Sequence, residues 1–173
     1  PDERKQMSTP DSSTQDFDFE TALEQALGRI DKGPHCSCAD ITMELLRAAL
    51  GLQCSVTRHA AAAFGGGVGG NGAQCGAFSA GLIALALAYA EREEPEGCIA
   101  DPIGGDVCDY YDAWMEEYGS VLCSELSGYP CLREEAVRQE FFETGGPERC
   151  TSRYIRFAFH KILELAGASR PAA

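Results

Sequence analysis

The residues with the most chemistry to offer are nine cysteines, Cys36, Cys38, Cys54, Cys75, Cys98, Cys108, Cys123, Cys131 and Cys150. An odd number leaves one thiol over from any complete set of intrachain disulfides. A chain of 173 residues can also bury a core without such staples. Metal ligation or thiol redox chemistry therefore outranks a disulfide framework. Cys36-Ser37-Cys38 is a C-x-C pair just ahead of a helical pattern, able to chelate from a loop. Cys75 follows a glycine-rich run and is expected in the first turn of a helix, where unpaired N–H groups and the dipole favour a thiolate and lower its pKa. Metal ligation and nucleophilic thiol chemistry both require that thiolate; the plainer reading is a small core residue at a helix start. No C-x-x-C or C-x-x-C-H occurs, so zinc ribbons, thioredoxin-type sites and c-type haem attachment find no support. Three widely spaced histidines argue against a histidine-rich metal site, and His35 reads as a surface residue.

The run from Phe64 to Gly72 contains G-x-G-x-x-G at Gly65, Gly67 and Gly70. A dinucleotide fingerprint needs a strand before it, and here the alanines Ala60 to Ala63 precede it. No Gly-Lys-Ser/Thr follows, so the Walker form fails too. What remains is a loop whose glycines let the backbone turn tightly or approach something closely. Arg149, Arg153, Arg156 and His160 recur at spacings of 4, 3 and 4. They read first as a solvated or salt-bridged face, and second as charge that compensates an anionic cluster or docks an acidic partner.

The elements that must position these residues are helical. Residues 1–15 lack periodicity and read as a flexible N-terminal tail. A helix is expected from Phe17 to Gly28, capped by Asp16. From Ser37 onward Ile41, Leu45, Ala48 and Leu52 mark an amphipathic helix. The stretch from Cys75 to Glu93 is apolar on most sides and should be central. After a loop from Pro95 to Gly105, Asp106 can cap a helix whose buried stripe is Tyr111, Trp114, Tyr118, Val121 and Leu122, with Asp109, Asp112, Glu116 and Glu117 outside. Shorter helices follow from Leu132 to Glu143 and, with Pro147 as a first helical residue, to about Ala166. No strand or hairpin signal appears. The expectation is an all-α, compact bundle of five to seven helices with a glycine-rich loop before the central helix. It forms one domain over 16–167, with a short tail at 168–173.

Composition narrows the function. The net charge is −13, which argues against nucleic acid or an anionic membrane as a partner held by a general field. Leu82 to Ala90 is the best apolar run, and Glu91-Arg92-Glu93-Glu94 stops it short of the roughly 20 residues of a membrane span. No leader is legible ahead of the fold, and many cysteines suit a reducing or anaerobic setting. The expected compartment is cytoplasmic, or periplasmic if a leader was removed.

Taken in order, the motifs resemble the C_GCAxxG_C_C family, a redox-active family named for its four-cysteine pattern and similar to the iron–sulfur part of split-Soret cytochrome c. The residues that carry the resemblance are His-Cys-Ser-Cys-Ala at 35–39, the glycine run at 64–70, and Cys-Gly-Ala-Phe-Ser-Ala-Gly at 75–81. Tyr-Gly-Ser-Val-Leu-Cys-Ser-Glu-Leu-Ser-Gly at 118–128 and Cys150 complete it. It spans roughly 33 to 166. By position it implies Cys36, Cys75, Cys123 and Cys150 as signature thiols, with Cys38 competing for the first place. The glycine expected at 80 is Ala80, with Gly81 one place later.

The resemblance implies redox function through an iron–sulfur cluster, [4Fe-4S] or [2Fe-2S], on those thiolates. Backbone N–H groups around Gly66, Gly67, Gly69 and Gly76 would face the cluster. The leading expectation is therefore an electron-transfer protein, a homodimer with the small-residue helix Cys75 to Ala90 as contact, serving a separate redox partner protein. Two rivals stand beside it. One is a thiol–disulfide oxidoreductase in which Cys75 attacks and Cys36 or Cys38 resolves. The other is a structural zinc module presenting an acidic surface.

Overall fold

The computed structural model describes residues 17–30, 37–53, 57–91 and 100–168. The expected tails (residue 168 apart), the Asp16 cap, His35, Cys36, Cys54 and Cys98 lie outside the described residues. Within them the chain forms α1 (Phe19–Ile30), α2 (Cys38–Leu50), α3 (Thr57–Ala62), α4 (Gly65–Val68), α5 (Gly76–Ala90), α6 (Ala100–Tyr118), α7 (Cys123–Ser127), α8 (Glu135–Glu143), α9 (Gly146–Cys150) and α10 (Arg156–Ala168). A π-helical turn, Thr151–Ile155, joins α9 to α10. Among the described residues the only β pairing is an isolated antiparallel bridge between Gln74 and Leu122. The all-α expectation holds.

The core is built around α5. Ala, Leu and Gly fill it with no polar face, so it can rest only where neighbours cover every side. Gly76 to Gly81, Ala84, Leu85, Ala88 and Tyr89 are all buried within one chain. Helix α2 packs along it, α10 covers both, and α3 and α6 flank it. Leu82, Ile83, Ala86 and Leu87 of the same helix are half-buried, and Ala90 is exposed. An aromatic cluster seals the α6–α10 side: the Phe78 ring stacks on Tyr110 at 5.0 Å, and Trp114 meets Phe78, Tyr118 and Phe157 edge-on.

Several expected details shift. Asp18 caps α1, its carboxylate accepting from the Thr21 backbone N–H at 3.0 Å. Helix α6 begins at Ala100, so Asp106 lies inside it and accepts a hydrogen bond from the Tyr89 hydroxyl. Gly104 and Gly105 looked like breakers, but each weakens a helix by only about 1 kcal/mol. The buried stripe of α6 runs through Tyr110 and Trp114, both 0% exposed, whereas Tyr111 and Leu122 are 44% and 41% exposed. The acidic outer face, Asp109, Asp112, Glu116 and Glu117, is exposed as expected.

The basic stripe is a largely solvated face, with Arg149, Arg153 and His160 exposed, and Arg149 pulls the Cys150 thiol pKa down against burial. Arg149 donates to the Thr144 carbonyl, and Arg153 lies over the Tyr118 and Tyr154 rings. Arg156 pairs with Glu20, and His160 packs on Phe19. The π turn also interrupts the helical spacing that aligned them.

Candidate functional site

Four thiols from four parts of the chain wall one small cavity. Cys38, Cys75, Cys123 and Cys150 line it together with Leu126, Ser127 and Tyr154.

Each cysteine is placed by a local device. Ser37 caps α2, its hydroxyl accepting from the Asp40 N–H while the Asp40 carboxylate accepts from the Ser37 N–H at 2.9 Å. This capping box makes Cys38 the first helical residue. Cys75 is the N-cap of α5. Its N–H donates to the Val121 carbonyl at 2.7 Å, and the Cys123 N–H donates to the Ala73 carbonyl at 2.7 Å. These bonds flank the Gln74–Leu122 bridge, so a single stitch of extended backbone sets Cys75 beside Cys123. Cys150 ends α9 immediately before the π turn, whose Thr151 hydroxyl donates to the Pro147 carbonyl at 2.8 Å.

The glycine run allows the convergence. A Cβ at Gly76 would sit 2.8 Å from the Cys38 sulfur and 2.8 Å from the Phe64 carbonyl oxygen. One at Gly67, where φ is +73°, would meet Cys123 Cβ at 2.6 Å and the Ala73 backbone at 2.7 Å. Of the four expected cofactor glycines, Gly66 and Gly76 turn N–H groups toward the Cys38 sulfur, and Gly67 backs onto Cys123. Gly69 is exposed and borders a neighbouring cleft. The helix before the run, α3, confirms that no strand precedes it as a dinucleotide fold would require.

Burial governs the electrostatics. Desolvation pushes the Cys38 thiol up, against the pull of N–H groups from Gly66, Ala39, Ala77 and Gly76. The Cys75 thiol is pushed well above its usual value by burial, then by Cys38, despite N–H groups of Phe78 and Ala77 at the helix start. The expectation of a lowered Cys75 pKa is therefore overturned: at 5% exposure desolvation outweighs the helix terminus. Burial, then Cys38, raises Cys123 to about 11, with Ser127 opposing. Cys150 is raised by the same two causes and by Cys123.

A family model described as "Putative redox-active protein (C_GCAxxG_C_C)" matches residues 36–165. The chain belongs to this family. No curated protein and no solved structure matches it. Of the cysteines expected to act, Cys75, Cys123 and Cys150 are brought together with Cys38, while Cys36 lies outside the described residues. Cys108 is exposed on α6, Cys131 is half-buried, and neither lines the cavity. No three His, Cys, Asp or Glu side chains among the described residues are arranged to hold a metal ion.

Sequence reasoning missed Tyr154, which lines the cavity and donates its hydroxyl to the Leu126 carbonyl at 2.7 Å. Gly81, noted in the sequence as one place later than expected, lets Tyr110 pack against α5: a Cβ there would lie 2.5 Å from the Tyr110 hydroxyl oxygen. No helix among the described residues is long and apolar enough to cross a membrane.

Proposed function

We propose that Cys38, Cys75, Cys123 and Cys150 hold an iron–sulfur cluster and that the protein is a one-electron carrier for a separate redox partner. The observation that carries the reading is the convergence of four buried thiols on one cavity in a chain of this redox family. The donor set fits the group. Buried thiols crowded together resist ionisation in one another's presence, and iron supplies the positive charge that makes four thiolates tolerable.

Backbone N–H groups from the glycine run and the start of α5 surround the Cys38 sulfur, the arrangement that stabilises added negative charge and raises a reduction potential. A bound cluster supplies reversible one-electron transfer. The chain's own residues exclude water and hold the sulfurs from α2, α5, α7 and α9.

A polynuclear core, in which different irons take different cysteines, can draw on thiols from several elements of the fold. Thiol–disulfide exchange with Cys75 attacking is served less well, because its thiol is buried and hard to ionise.

The test is iron and acid-labile sulfide per chain in protein purified without oxygen, repeated for Cys38→Ser, Cys36→Ser and Cys75→Ser. Comparable iron and sulfide, lost in the Cys38 and Cys75 variants and kept in the Cys36 variant, are expected. Iron that survives Cys75→Ser would sink the assignment, and loss in Cys36→Ser alone would move the first ligand.

A further inference from the structure

Tyr154 reaches the thiol cavity from the π turn that follows Cys150. We propose that it is a positioning residue of the cysteine centre: its hydroxyl ties the helix that carries Cys123 to the turn behind Cys150, and so fixes those two thiols relative to each other.

The tie has a local cause. Helix α7 is only five residues long, and Leu126 falls in its last turn, where carbonyl oxygens lack donors from within the helix. The Tyr154 hydroxyl donates to that carbonyl at 2.7 Å. Cys123 begins the same helix, and Cys150 immediately precedes the turn that holds Tyr154. One hydrogen bond thus spans two segments, 28 residues apart in sequence, whose cysteines share the cavity. Burial and Cys38, then Cys123, push the Cys150 thiol up, so the two tied thiols also lie within each other's field.

The ring is held as firmly as the hydroxyl. It is 4% exposed. Tyr118 meets it edge-on with centroids 4.9 Å apart, and the Arg153 guanidinium lies 5.5 Å from its centroid. Tyr118 donates its own hydroxyl to the Arg153 carbonyl at 3.0 Å, which secures the turn to α6. Neither Tyr118 nor Arg153 lines the cavity. The two tyrosines are therefore a matched pair. Each loses one hydroxyl-to-carbonyl bond on conversion to phenylalanine, and each keeps its ring, but only the Tyr154 bond joins two cysteine-bearing segments.

The purpose of this tie rests on the iron–sulfur reading, whereas its geometry does not, and two measurements on the protein as purified separate them. Hydrogen exchange in α7 and the π turn should quicken about fivefold in Tyr154→Phe, the scale of one hydrogen bond through local opening. Exchange in α5 should match the parent. At equal iron content, the electron paramagnetic resonance spectrum of the reduced protein should shift or broaden in Tyr154→Phe and stay as in the parent in Tyr118→Phe. A merely structural role would treat the two variants alike. Parental exchange in α7, a spectrum unaltered in Tyr154→Phe, or the same alteration in Tyr118→Phe would overturn the proposal. A protein without iron would sink the cluster reading instead, and exchange in α7 would still decide whether Tyr154 ties the two segments.

Discussion

The Cys38 sulfur occupies the space that a side chain on Gly76 would need, with 2.8 Å between them if a Cβ were added. Gly76 has ordinary helical backbone, so replacing it by alanine should by propensity stabilise α5 by about 1 kcal/mol. The contact reverses that sign. Gly76→Ala is expected to destabilise the protein by about 1–3 kcal/mol, the usual cost of overpacking a core. Chemical denaturation followed through Trp114, the single tryptophan, measures it. The iron content of the variant should fall with stability, because Cys38 is the residue displaced. An alanine variant as stable as the parent would show that Cys38 does not sit against α5.

That relationship also shows how far the sequence was legible. Helix α2 was readable because Ile41, Leu45 and Ala48 recur at helical spacing after Ser37, and α5 because an unbroken run rich in Ala and Leu follows Cys75. Helix α6 was misphased because Tyr110 and Tyr111 are chemically alike, and only tertiary packing against Phe78 decides which of them is buried. The site was half legible. Cysteine spacing nominated thiols, but nothing local separates Cys36 from Cys38, which differ by one residue. The cap at Ser37 gives Cys38 its place as the first residue of α2, and that needs the folded glycine run behind it. The thiol environment was misjudged for the same reason, since burial is not visible in a helix-start motif.

Ser37 joins helix formation to the site. Its hydroxyl receives the Asp40 N–H and donates to the buried Asp40 carboxylate at 2.6 Å. Ser37→Ala should cost about 1–2 kcal/mol, the upper part of the range for a lost cap, because it also strips a partner from a buried carboxylate. Ser37→Asp would keep a cap acceptor but set two carboxylates together, so it should recover little. Urea midpoints of the two variants check this, and a loss below a few tenths of a kcal/mol for alanine would contradict the capping box.

Tyr110 is fully buried, and among the described residues its hydroxyl has no hydrogen-bond partner. A buried polar group without a partner costs about 1–3 kcal/mol. Tyr110→Phe is therefore expected to hold or raise stability, unlike most core changes. Gly81→Ala should destabilise the parent because its Cβ would meet that hydroxyl at 2.5 Å. Combined with Tyr110→Phe, the alanine should cost less, and a double-mutant cycle in denaturant reads the coupling. Strict additivity would separate the two residues.

Acid should loosen the docking of α1 first. The Thr21 hydroxyl and N–H hold the Asp18 carboxyl below its usual 3.8, and the Arg156 guanidinium holds Glu20 below its usual 4.5. Groups with depressed folded pKa values contribute stability above the unfolded values and lose it as pH falls through the folded ones. Both carboxylates are exposed, so each effect is modest and weakened by salt. Asp18→Ala and Glu20→Gln should each lower the melting temperature at pH 7, with the gap to the parent closing below about pH 4. Hydrogen exchange should place the loss in α1, where Phe19 packs on Phe159 with ring centroids 4.3 Å apart. A gap that stays constant down to pH 2.5 would mean that neither charge helps to hold this helix.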